Sequence, residues 1–464
     1  MKLAPLHFGL LWLAANAYWP TALYGQSLEG NWESEGYGYY FSIVGSKLEA
    51  YEVTAISCIF GFSGIRQTES AADDSETFKV VEEPDTFAIR TDSTADEVRL
   101  HFDGTASDVF IRRLASPPRI CDRPPANSPQ TNFEIFAQTW AELYGFFDLN
   151  NADWPAIVAS QRLRVSDGTT PQELFQILKI MIEPFKDAHS YIRAESIGER
   201  WHGGRQTPTW LDRADRLRAY KITEDKYLHA PLRSWCNGQV EFAMLDGGVG
   251  YLRLRSFAGY GESPGFESGL SALEIALDEI FTNASSWTGL VIDVRINSGG
   301  YDPYALAIAS RLATREYLAY SKEARADPQD PSKWTDPQPS SVPPSSRPGF
   351  HGEVVELIGI HSVSAAETFT QALFGREPHV TRVGENTQGV FSDVQQRQLP
   401  NGWLFGLPNE RFVTDGKSYD GPGIPPNIEI PVFPQTDFDN NRDGAIEKAL
   451  DYLHHNSGAG KNNF

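Results

Sequence analysis

The chain predicts a multidomain protein: a small N-terminal antiparallel β barrel or sandwich, a helical subdomain, and an α/β part that carries the chemistry. Three observations predict it. Short runs rich in aromatic and β-branched residues, cut by turn residues, fill 28–115. Helical periodicity follows a proline-rich segment, and from Gly248 strand-like and helix-like runs alternate. At 464 residues the chain is too long for one core.

In chain order, MKLAPLHFGLLWLAANA holds one lysine, an apolar run and a small-residue end at Ala15-Asn16-Ala17, which reads as a signal peptide over 1–26. The apolar run is short for a membrane span, and Pro5 and His7 interrupt its start. No later stretch is long and apolar enough either, so the expectation is an exported protein, periplasmic or extracellular, without stable membrane insertion. The formal net charge of −21, with no basic tract, gives nucleic-acid binding no electrostatic support. Three cysteines, Cys58, Cys121 and Cys236, exclude a complete disulfide framework. In an oxidising compartment Cys58 and Cys121 can pair and leave Cys236 free, but spacing does not decide it.

Residues 27–115 form the expected β domain, and its opening Gly30-Asn31-Trp32 resembles the start of lipocalin-like barrels. Prolines mark 116–129 as a linker, which predicts that the β domain folds apart from the rest. In the helical subdomain, 130–195, Phe133, Phe136, Trp140, Leu143, Tyr144 and Phe147 recur at helical spacing as a packing stripe. DWPAI and PQELFQILKIMIEPF start two further helices. The α/β core spans 196–456, with a tail at 457–464. Within it, 319–350 is proline- and serine-rich and reads as an irregular insertion, a lid or a long surface loop. Asn401-Gly402 predicts a hairpin turn. Asp439, Asn441, Asp443 and Gly444 match the start of a calcium loop, but Leu450 stands where the bidentate Glu belongs, so a polar turn and helix cap is expected.

Four stretches carry candidate chemistry. Ser364 follows the apolar run EVVELIGI and opens a helix-like run, so a sharp turn lifts its hydroxyl beside unpaired helical N–H groups. With Glu367 three residues on, it also fits a capping box. Asn297-Ser298-Gly299-Gly300 ends a strand and exposes N–H groups without side-chain bulk, as an oxyanion hole requires. His189 in DAHSY suits a general base, and Asp420 in YDGPGIPPN a carboxylate on a rigid turn. Alone, these read as an N-cap, a flexible turn, a helix-end cation and a solvated acid; together they form a constellation.

SVSAAETF, DVRINSGG, DAHSY, VGENTQG and YDGPGIPP resemble, in kind and in order, motifs of the C-terminal processing (tail-specific) serine peptidases and their relatives. Those relatives include the tricorn core protease and the modules of interphotoreceptor retinoid-binding protein. The resemblance covers about 130–455. It implies a helical subdomain plus an α/β core of crotonase/ClpP-like ββα units, and cleavage of polypeptides. One branch of the family uses a Lys base in T-F-G-K-G; here the stretch is TQGVF, with Val390 at the Lys position and the next lysine at Lys417. The sequence therefore lies nearer the tricorn-like branch, with His189 as base and Asp420 in the place of its Glu. Two further departures are Ala188, where tricorn has Ser, and Asn427, where the acid stretch has a later Asp. Residues 195–247 are too few for a PDZ domain.

The resemblance implies that Ser364 attacks a carbonyl, His189 moves the proton, Asp420 orients the imidazole, and N–H groups of Gly299 or Gly300 and of Ala365 hold the oxyanion. No cofactor or metal enters this scheme. Its alternatives are a non-catalytic ligand- or lipid-binding module on the same fold, and an esterase.

Overall fold

The computed structural model describes residues 28–67, 76–81, 88–94 and 97–459; the expected signal peptide and 460–464 of the expected tail lie outside them. The β domain is a closed barrel of eight strands running from Gly30–Ser34 to Asp108–Leu114, each antiparallel to the next. The last strand closes on the first through pairs such as Ser34 with Ile111. Alternation along the strands points Trp32, Phe41, Leu48, Phe78, Leu100 and Ile111 inward, so side chains pack the interior, as the width of eight strands allows.

The linker does not leave this barrel loose. Cys121, in the short turn Arg119–Asp122, forms a disulfide with Cys58 on the barrel strand Ser57–Arg66. Cys236 is free and buried, and burial pushes its thiol up to about 12, which removes it as a nucleophile near neutrality. Tyr37 of the barrel donates to Glu410 of the core at 2.8 Å, Arg397 donates to the Tyr39 hydroxyl at 2.6 Å, and Gln398 N–H donates to Glu52 at 2.9 Å. These contacts run against a separately folding barrel. A chain beginning near Asn127 would leave the buried Glu410 and Arg397 without barrel partners, each at a cost of about 1–3 kcal/mol. Such a chain is expected to aggregate or to unfold well below the intact protein. Reversible unfolding at the intact protein's temperature would contradict this.

The helices Pro129–Leu143, Trp154–Arg162 and Pro171–Ile182 each start at a side-chain cap, Ser128, Asp153 and Thr170, with proline in the first turn. The aromatic stripe packs as expected, with Phe133, Phe136 and Trp140 fully buried. The subdomain is not closed within 130–195. The hairpin Val394–Gln398 and Leu404–Pro408, turning at Asn401-Gly402, pairs with Tyr191–Ala194 and places Phe405 4.9 Å from Phe136.

The core is a seven-stranded sheet whose central and later strands, Val249–Leu254, Gly289–Asp293, Val354–Ile358, Thr381–Gly384 and Ile428–Glu429, run parallel. Helices Phe266–Phe281, Asp302–Ser310 and Ala365–Ala372 cover one face, and Gly444–Ala459 covers the other. Asp443, before that last helix, binds Arg295 at 2.7 Å and Thr223 at 2.8 Å, so its carboxylate serves a buried ion pair. The stretch 319–350 is not irregular. It contains most of Tyr317–Asp327, plus Asp330–Trp334 and Gln338–Val342, all in one sheet with Glu410–Thr414. Pro331 and Pro339 stand within strands that pair only with Tyr317–Asp327, and the other prolines lie between strands, so composition concealed the strands.

Candidate active site

Two parallel strands leave the core sheet side by side and carry the first half of the site. The short ladder pairs Ile296 with His361 and Asn297 with Ser362, and Val363 N–H donates to the Asn297 carbonyl at 3.0 Å. Each strand then turns sharply, one at Gly299-Gly300 and the other at Ser364. The approach is close: a Cβ on Gly299 would lie 2.6 Å from the Ser364 Cβ and 2.7 Å from the Val363 carbonyl. Only glycine fits there, and its φ of +83° has the same requirement.

Ser364 opens the helix Ala365–Ala372, which is buried along its whole length. Glu367 reaches back to the Ser364 N–H at 3.3 Å, so the capping box forms. The backbone does not fit an ordinary cap, which is extended. Ser364 has φ 58° and ψ −123°, a conformation that costs a residue with a side chain about 1–3 kcal/mol. The site holds it there: Ser364 N–H also donates to the Val390 carbonyl at 3.1 Å, and Phe369 anchors the helix against Phe257.

The segment 388–393 gathers the remaining residues. Its N–H groups at Gly389 and Val390 donate to the Glu367 carboxyl at 2.6 and 2.9 Å, which ties the segment to the Ser364 helix. Burial lifts the Glu367 pKa to about 8 despite these bonds. Two residues beyond Val390, the imidazole of His189 faces the Ser392 carbonyl and the Asp393 carboxylate. His189 sits in a buried turn whose N–H donates to Asp187 at 2.8 Å. Burial pushes its pKa down to about 4, against the pull of Asp393 and Ser392, so the ring is neutral near pH 7. Its Nδ1 is buried without a hydrogen-bond partner among the described residues, as is the Ser190 hydroxyl.

Asp420 binds the same segment, at Phe391. Its carboxyl accepts from the Ser418 hydroxyl at 2.6 Å and from the Phe391 N–H. Burial, reinforced by the neighbouring Asp187 carboxylate, raises its pKa to about 7. A cleft of about 240 Å³ is lined by both acids together with Arg205, Val390 and Phe391. No hydrogen bond joins Asp420 to His189; Asp420 binds the segment that faces the ring. Among the expected oxyanion donors, Gly299 N–H is taken by the Asn297 side chain at 2.8 Å, whereas the N–H groups of Gly300 and Ala365 have no acceptor among the described residues.

Sequence reading passed over three contributors. Asp393 is the carboxylate that faces His189. Lys322, 2% exposed, binds Asp393 at 2.5 Å and Glu410 at 3.1 Å. Burial alone would lower its pKa, but these carboxylates hold it well above the usual range, so it stays charged and is no free base. Arg205 ties the loop after His189 to 387–388 and 422 through Thr387, Gln388 and Pro422. The sequence offered no signal for Lys322 and Asp393, which meet only through long-range strand pairing.

Residues 248–430 match the model of Peptidase family S41, a span that includes Gly299, Gly300, Ser364 and Asp420 and leaves out His189. A crystal structure of a candidate peptidase from Parabacteroides merdae is similar at 26% identity and TM-score 0.60, covering 71% of this chain and 97% of that one. Mature CPAF, in complex with lactacystin, is similar in fold at 14% identity and TM-score 0.51, covering 71% and 97%. No curated protein matches the chain. Residues 248–430 are thus a Peptidase family S41 domain, and the enzyme is a serine-type peptidase.

Proposed function

We propose that this is an exported peptidase that cleaves polypeptides with Ser364 as nucleophile and His189 as base. The carrying observation is the positive φ of Ser364 at a strand–helix break, with Gly299 packed against it. A cap does not need that strain, but a nucleophile raised from a sheet does. His189 takes the hydroxyl proton as the Ser364 Oγ attacks the carbonyl carbon, then returns it to the leaving amine as the C–N bond breaks. The free N–H groups of Gly300 and Ala365 stabilise the oxyanion, while the Asn297 bond to Gly299 fixes the turn that presents them. Asp393 favours the imidazolium that forms. Export is supported by the leader-like first residues and by the Cys58–Cys121 disulfide, which suits an oxidising compartment.

Asp420 acts in this scheme as a positioning residue: its carboxyl fixes the Phe391 N–H and thereby the Ser392 carbonyl that faces His189. Asn in its place still presents an oxygen to that N–H. Asp420→Asn is therefore expected to lower kcat less than about tenfold, and Asp420→Ala more. A loss near 10⁴-fold for the Asn variant, as when an imidazole is left in the wrong tautomer, would show a direct orienter instead.

Incubation with an unfolded polypeptide, read by mass spectrometry of the new termini, tests the activity. Fragments that Ser364→Ala does not produce are expected. Their absence would favour a binding module, and hydrolysis of small esters alone would favour an esterase.

A further inference from the structure

On the Ser298 and Val363 side of the nucleophile turn lies a groove of about 760 Å³. Three arginines from two elements line it: Arg213 and Arg216, at the start of the helix Arg213–Tyr227, and Arg255, just past the strand Val249–Leu254. No Asp or Glu lines it, although the chain has a net charge of −21. Two of the arginines are not spent on internal carboxylates, and the third is held only weakly by one. Arg213 and Arg216 form no ion pair among the described residues, and Arg216 donates only to main-chain carbonyls, to Leu211 at 3.2 Å and Asp212 at 3.4 Å. Arg255 reaches Glu241 only at 3.8 Å, while the other oxygen of Glu241 is held by Arg253 at 2.6 Å. Arg255 lies over the Tyr220 ring, 4.8 Å from its centre, which fixes its direction. The nearest acids on the helix start are Asp212, which caps the helix through the Asp215 N–H at 2.8 Å, and Asp215 itself. The helix start is pinned to the nucleophile strand, because Leu211 N–H donates to His361 Nε2 at 2.9 Å and Trp210 packs on that ring.

We infer that this groove is a specificity subsite that takes an acidic side chain of the bound polypeptide beside the cleaved bond. The inference rests on the peptidase reading and names a substrate class for it. The guanidiniums of Arg213 and Arg216, without an ion pair among the described residues, in a groove that touches the nucleophile turn attract carboxylates through charge-assisted hydrogen bonds, and arginine's fork suits two oxygens at once. A polypeptide lying across Ser364 places one of its side chains against Ser298 and Val363, and therefore against the arginines.

The test uses internally quenched peptides, all amidated at the C-terminus, that exchange Glu for Gln at each position around the cleaved bond. At one position the intact enzyme is expected to favour Glu in kcat/KM by about tenfold or more, less at high salt. That ratio should fall towards one in Arg213→Gln/Arg216→Gln, and a Lys peptide should become the preferred one in Arg213→Glu/Arg216→Glu. Circular dichroism checks that both variants are folded. A Glu/Gln ratio near one at every position, or a ratio that survives both double variants, overturns the subsite. If none of the peptides is cleaved, the peptidase reading fails, and fluorescence anisotropy of the labelled Glu and Gln peptides then tests the groove by itself: tighter binding of the Glu peptide supports it, and equal binding overturns it.

Discussion

Ser364→Ala is expected to lower peptide hydrolysis by about 10⁴-fold or more while the protein stays folded. The argument is geometric. The residue occupies a strained turn, Gly299 packs against its Cβ, and the N–H groups of Ala365, in this turn, and of Gly300, in the adjoining one, have no acceptor among the described residues. The capping box is real but separable. Glu367 keeps its bonds to Gly389 and Val390 in the variant, so the helix start survives and the cap costs about 1 kcal/mol. If capping were the whole role, that stability loss would appear with hydrolysis intact. Activity and thermal unfolding measured on one preparation separate the two.

His189→Gln should be nearly as damaging, and the intact enzyme's pH profile should carry the mark of a buried imidazole. Burial holds its pKa near 4, so the neutral base persists well below the ordinary value of about 6.5. On the acid side kcat/KM is expected to stay level from about pH 8 to about pH 5 and to fall as pH approaches 4. Stability moves in the same direction. Between about 6.5 and 4 the unfolded chain binds the proton and the folded ring does not, so stability is complete above 6.5 and is lost as pH falls through 4. Far-ultraviolet circular dichroism at each pH separates unfolding from titration. An acid limb near pH 7 that disappears in Asp420→Asn would show instead that ionised Asp420 is required, because its pKa is about 7. A rate still rising towards pH 10 would indicate a lysine base.

Much of the fold was legible because its signals are local. Alternating aromatic and β-branched runs gave the barrel, the Phe133 to Tyr144 stripe gave the first helix, and Ser128, Asp153 and Thr170 cap helices whose prolines stand in the first turn. What escaped is non-local or disguised. The helix Arg213–Tyr227 is charged on most of its surface and buries only Ala219, Ile222 and Thr223, so it shows no apolar stripe. The strands in 319–350 are hidden by proline and serine. For the site, motif order named Ser364, Gly299, Gly300, Ala365, His189 and Asp420 as candidates; the ladder that sets the Gly299 and Ser364 turns side by side, and the segment 388–393 that both His189 and Asp420 face, come from the fold. Motif order did not reveal that Asn297 occupies the Gly299 N–H, or that Asp420 reaches the segment and not the ring. Those outcomes depend on which donors the folded backbone leaves free. Spacing also said nothing of the buried pair Lys322 and Glu410, which half-exposed Asp393 joins from 388–393 and Tyr37 from the barrel.

The most direct test of the account is to treat the folded protein with a fluorophosphonate probe and map the modified residue by peptide mass spectrometry. The reagent needs a hydroxyl made nucleophilic by a neighbouring base and an oxyanion pocket to receive the phosphonyl oxygen. The prediction is one adduct on Ser364, absent in Ser364→Ala and strongly slowed in His189→Gln. An unmodified protein, or an adduct that persists in Ser364→Ala, would contradict the assignment of Ser364 as the nucleophile.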